Sequence, residues 1–146
     1  MNGVAWASIL STVADSGALE RAQAALDAAW VANDEVPAVI RMQMSIAVGE
    51  IVANVVEHGT QGRLNVAIQL QMSVEQGRVL VAVIDDGNET LADMSNVAGM
   101  PDDLAERGRG LPMAQSVLDG LSYERLSGAN LWLLSSKRFS GGVDLY

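Results

Sequence analysis

Glu50, Asn54 and His58 stand four residues apart in an otherwise apolar stretch, and Glu57 flanks the last of them. If that stretch is a helix, the spacing puts a carboxylate, an amide and an imidazole on one stripe. Such groups can serve as a general base, a metal ligand and a hydrogen-bond donor toward phosphate. Taken alone, a polar stripe on a helix is more often a solvated face. Further along, Asp85-Asp86-Gly87 follows an all-apolar run. A carboxylate there is held rigidly at a strand end, and Gly87 lets a ligand approach the backbone. Such an Asp can accept a hydrogen bond from the exocyclic amine of adenine, although the same residues also make plain strand-ending turns. The third group is Arg107-Gly108-Arg109-Gly110-Leu111-Pro112. Glycines just ahead of a helix leave backbone N–H groups and the helix dipole free to receive phosphate, and the two arginines add charge; a flexible hinge is the plainer alternative.

These groups need elements to position them. Val4 to Ala14 has room for an edge strand, and Asp15 and Ser16 offer caps for an Ala- and Leu-rich helix from about Ala18 to Ala32. Asp34 and Glu35, with Pro37 in the first turn, signal a second helix that runs to about His58 and stops at Gly59. Leu64, Val66, Ile68, Leu70 and Met72 alternate with polar or small residues, the period of a strand with one buried face. Val79 to Ile84 is apolar throughout and reads as a central strand, joined to the previous one by a turn at Glu75-Gln76-Gly77-Arg78. Asp85 to Arg109 is a long loop of the kind that forms functional lids or is disordered. A helix over Leu111 to Leu118 and a hairpin of Leu121–Leu126 with Leu131–Ser136, turning at Ser127-Gly128-Ala129-Asn130, complete the chain. The pattern implies an α/β (α+β) two-layer sandwich, a mixed β-sheet with helices on one face. Trp6, Trp30 and Trp132 are expected in its core.

The 146 residues suit one domain, 1–146, and a composition that is 49% hydrophobic and 18% charged suits a folded one. The net charge of −9 opposes binding to nucleic acid and to anionic lipid. It could attract a basic protein, though acidity more often serves solubility alone. No cysteine is present, which fits a reducing cytoplasm, and the apolar runs are broken before the roughly 18 residues of a membrane span.

In order and spacing, the three groups resemble the N, G1 and G2 boxes of the GHKL (Bergerat-fold) ATPases. Ile46 to Gly59, with Glu50, Asn54 and His58-Gly59 in register, resembles the N box of the anti-sigma-factor serine/threonine kinase branch; Val83 to Gly87 resembles G1, and Gly108-Arg109-Gly110-Leu111 resembles G2. The likeness runs from about Ser8 to Phe139. It implies a Bergerat ATP-binding fold that binds ATP and Mg²⁺, with Glu50 as general base, Asn54 as Mg²⁺ ligand and Asp85 with Gly87 at the adenine. It further implies Gly108, Gly110 and Leu111 at the phosphates, with His58, Arg107 and Arg109 as further phosphate contacts. By the same resemblance the protein is a cytoplasmic anti-sigma factor that sequesters a sigma factor, phosphorylates an anti-anti-sigma partner and has the option of a homodimer. The alternative is a non-catalytic binding module on the same fold. Two positions depart from the family pattern: Glu89 replaces the second glycine of G1, and Ala129 stands where a threonine hydroxyl usually assists the adenine-binding Asp. Losing that hydroxyl is expected to cost about 1 kcal/mol, roughly fivefold in affinity, unless Ser127 or a water replaces it.

Overall fold

The computed structural model describes residues 5–89 and 110–140, with the side chains of 110 and 111 outside that description. The elements are β1 (Ala7–Val13), α1 (Ala18–Ala32), α2 (Ala38–Asn54), a π-helical turn (Val55–Gly59), β2 (Ala67–Glu75), β3 (Arg78–Asp85), α3 (Gly110–Val117), β4 (Gly120–Leu126) and β5 (Ala129–Ser135). The strands form one sheet in the order β1-β2-β3-β5-β4, and every adjacent pair is antiparallel. The α+β sandwich agrees with the sequence, but among the described residues the sheet has no parallel ladder. β3 and β4 do run parallel and are linked through α3, the connection that suggests a mixed sheet. β5 lies between them and pairs with both, so the parallel strands never touch.

The helices pack on the sheet face that carries Ile68, Leu70 and Met72 of β2, Val79, Val81 and Val83 of β3, and Trp132 and Leu134 of β5. α2 lies deepest, burying Ile40, Met44, Ala47, Val48, Ile51 and Val52. It is apolar nearly all round, with Val39 and Met42 at least half exposed on its outer side. The continuous helical stretch Ala38–Gly59 has 22 residues and, by length and composition alone, is apolar enough to cross a membrane, contrary to the sequence expectation. Its packing is that of a core helix, one face against β-strand side chains and another against α1. Where α1 packs on α2, Gly49 leaves room for α1 side chains: a Cβ there would lie 2.9 Å from Gln23 Nε2, and Gln23 donates to the Ser45 carbonyl.

Several boundaries moved for local reasons. α2 begins at Ala38 after an extended Pro37, because Asp34 to Val36 form a turn whose carbonyls at Asp34 and Val36 accept from Arg41. Asn65 adopts a left-handed φ of 60°, which interrupts the alternation; β2 starts at Ala67 and leaves Leu64 almost fully exposed. Gly77 and Gly128, at φ 73° and 75°, make the two tight hairpin turns, so Ala129 and Asn130 belong to β5 and not to its turn. Trp30 and Trp132 are buried as expected, whereas Trp6 precedes the edge strand and is 40% exposed.

Candidate functional site

β3 is apolar on both faces from Val79 to Ile84 and then ends in Asp85, whose side chain stays on the inner face and is only 1% exposed. Asp86 points the other way and does structural work: its Oδ1 accepts from Ala67 N–H at 2.8 Å and its N–H donates to the Ala67 carbonyl, extending the β2–β3 ladder. The two acids of the sequence pair therefore have separate roles. Asp85 Oδ1 accepts from Gly87 N–H at 2.9 Å and from Asn130 Nδ2 at 2.8 Å. Asp85 Oδ2 is buried and has no partner among the described residues. Burial raises the carboxyl above its ordinary 3.8, and the hydrogen bonds from Asn130 and Gly87 pull against that rise. The Trp132 indole also favours the ionised form, although its Nε1 is beyond hydrogen-bonding geometry.

Asn130 faces Asp85 directly across the β3–β5 ladder and is completely buried. Its Nδ2 donates to Asp85 Oδ1 and to the Asn88 carbonyl at 2.9 Å; its Oδ1 accepts from Tyr123 Oη at 2.6 Å and Arg125 Nη1 at 3.0 Å. Arg125 Nη1 also donates to the Gly87 carbonyl at 2.7 Å. Tyr123 packs on Trp132 with ring centroids 4.5 Å apart. The hydroxyl missing at Ala129 is thus replaced by the amide of the next residue, not by Ser127. Asn130 was hidden in the sequence because asparagine is common in turns. The signal that could have found it is its phase: it shares the inward positions of β5 with Trp132 and Leu134.

Gly87 has a tighter reason to be glycine than ligand approach. A Cβ there would sit 2.6 Å from the Gly59 carbonyl oxygen and 3.1 Å from Asp85 Oδ1. The same carbonyl accepts from Asn88 N–H at 2.9 Å, and Asn88 Nδ2 donates to the Gln61 carbonyl at 2.7 Å. The end of β3 is in this way stitched to the π-turn at the end of the long helix. Such wide turns recur at functional sites, and this one was not legible in the sequence.

Glu50 and Asn54 lie one turn apart on the last part of α2 and are both half-buried. Asn54 Nδ2 is buried without a partner, and Glu50 receives no hydrogen bond or ion pair from the described residues. His58 follows in the wider π-turn, which takes it out of the α-helical spacing that defined the stripe; its Nε2 lies 3.7 Å from Glu57 Oε1. Gly110 and Leu111 open α3, while Arg107, Gly108 and Arg109 lie outside the described residues, as does most of the segment expected as a lid. Glu89 is exposed.

The sequence profile of the histidine kinase-like ATPase domain matches residues 12–135. The chain belongs to this family. The match spans β2 to β5 with the end of β1, all three described helices and both the Asp85 and the Asn54 regions. No curated protein matches the chain. A histidine kinase-like ATPase domain is an ATP-binding domain, and two orphaned polar atoms here suit that ligand. Asp85 Oδ2 is an acceptor that a base amine can satisfy, and the Asn54 amide can meet phosphate or a phosphate-bound cation.

Proposed function

We propose that this histidine kinase-like ATPase is a cytoplasmic serine/threonine protein kinase of the anti-sigma type, which sequesters a sigma factor and phosphorylates a serine of an anti-anti-sigma partner. The observation that carries the reading is the buried Asp85 carboxylate, with Oδ1 saturated by protein donors and Oδ2 left as a lone acceptor. That is the complement of the adenine N6 amine. Ala129, which with Glu89 favours a non-catalytic module, loses its weight because Asn130 donates to the same carboxylate.

Glu50 is the proposed general base. It stands one helical turn before Asn54, half-buried and uncommitted, so it can take the proton from a serine hydroxyl as that oxygen attacks the γ-phosphate. Asn54 is the proposed Mg²⁺ ligand. Among the described residues no group of three His, Cys, Asp or Glu could hold a metal. This suits an ion carried in largely by nucleotide phosphates and water, with one protein ligand. Bound there, Mg²⁺ would offset the phosphate charge. Gly108, Gly110 and Leu111, with Arg107, Arg109 and His58, are the proposed phosphate contacts.

The test is phosphoryl transfer from γ-labelled ATP to purified anti-anti-sigma proteins, each beside a variant whose acceptor serine is alanine. Label on the serine protein alone, lost with Glu50→Ala, is the expected result. Nucleotide binding without transfer to any such protein would favour a binding module on the ATPase fold.

A further inference from the structure

Asn130 has no orientational freedom. Arg125 Nη1 can only donate, so the atom it meets is Oδ1; the Asn88 carbonyl can only accept, so the atom it meets is Nδ2. With the amide fixed from both sides, Nδ2 must also donate to Asp85 Oδ1, which already accepts from Gly87 N–H. Two donors on Oδ1 leave no place for a proton there, so any proton on Asp85 has to sit on Oδ2, the unpartnered oxygen.

We infer that Asn130 is the positioning residue that sets base selectivity, by holding Asp85 as an acceptor only, so that the pocket takes a base presenting an amine and rejects one presenting a carbonyl at that edge. The inference rests on the nucleotide-binding reading above. An ionised Oδ2 pairs with the adenine amine and repels the O6 carbonyl of guanine or hypoxanthine. Without the Asn130 donor, burial favours the protonated acid, and a proton on Oδ2 turns the same atom into a donor that a carbonyl can use.

Among the described residues, the charged or titratable groups around Asp85 are Asp86 at the end of β3, and Tyr123 and Arg125 on β4, both acting through Asn130. Asp86 disfavours the ionised form as burial does, and the Asn130 amide opposes both. From the π-turn the contact with Gly87 and Asn88 is the Gly59 carbonyl, not a side chain.

The experiment measures binding of ATP and of ITP from pH 6 to pH 8; at that edge ATP presents a 6-amine donor beside an N1 acceptor, and ITP a 6-carbonyl acceptor beside an N1–H donor. The wild type is expected to prefer ATP by at least ~10-fold with little change across that range. Asn130→Ala is expected to lose ATP affinity roughly 10-fold at pH 7 while ITP changes less, and its ATP affinity is expected to fall further toward pH 6. Arg125→Gln, at an exposed position on β4, should fold whatever Asn130→Ala does and shift the ATP/ITP ratio in the same direction by a smaller factor. Equal weakening of both nucleotides in these variants, with an unchanged pH profile, would overturn the inference by reducing Asn130 to a structural role. If the wild type binds neither nucleotide, the nucleotide-binding reading fails and takes this inference with it.

Discussion

At the end of β3 the protein satisfies nearly every polar atom from within. At the end of α2 the candidate side chains Glu50 and Asn54 have no partner among the described residues. Asp85, Asn130, Arg125 and the backbone of Gly87 and Asn88, by contrast, form one connected network with a single open acceptor. Under the proposed function, the contrast follows from what each region would recognise. A base is rigid and neutral and is best read by a rigid acceptor, so the protein spends its own donors on fixing Asp85. Triphosphate, cation and an incoming hydroxyl bring charge and move during transfer, so the groups proposed to face them would stay uncommitted until the ligand arrives.

The sharpest way to break the comparison is at Glu50. Glu50→Ala should lower phosphoryl transfer to a serine partner by about 10²–10⁴-fold while ATP affinity stays within about twofold. A parallel loss of binding, seen by titration, would place Glu50 in the rigid half instead. Gly87→Ala attacks the network from its tightest point. The added Cβ would lie 2.6 Å from a backbone carbonyl that has little room to move, so a destabilisation of about 1–3 kcal/mol in urea unfolding is expected, with weaker ATP binding. Asn54→Ala should behave oppositely: stability unchanged, and the Mg²⁺-dependent part of ATP affinity reduced by about fivefold, read by titrating with and without Mg²⁺.

The smallest effect expected concerns stability against pH. Burial holds the folded Asp85 carboxyl above its ordinary 3.8, so the folded chain binds that proton more tightly than the unfolded one. Stability contributed by the protonated acid is therefore complete below 3.8 and declines as pH rises through the raised folded value, beyond which the cost of the buried charge stays constant. Asp85→Asn, which keeps an acceptor for Asn130 and removes the charge, should raise Tm by a few degrees at pH 7 and lose that advantage in acid. An unchanged or lower Tm at pH 7 would mean the network compensates the charge completely.

The same contrast explains what was legible in the sequence. α1 was read to the residue and β3 to within one at each end, because Ala-rich and all-apolar runs carry strong local signals. Glu50, Asn54 and Asp85 stood out as polar residues in apolar surroundings, and the match to the ATPase family agrees with the fold that resemblance implied. Asn130, Arg125 and the role of Gly59 did not stand out. They act through pairings between segments distant in the chain, and the one-residue phase that turns Asn130 inward depends on where Gly128 places the hairpin turn. The π-turn escapes for a related reason: its contacts at Gly59 come from Gly87 and the Asn88 N–H, about thirty residues further along the chain.

Isothermal titration of Mg²⁺-ATP into the wild type and Asp85→Asn tests the central claim most directly. Saturable binding in the wild type, weakened about 10- to 100-fold in a variant that remains folded, is the result predicted for a base pocket built on Asp85. Equal binding by both proteins would contradict it and place the nucleotide elsewhere.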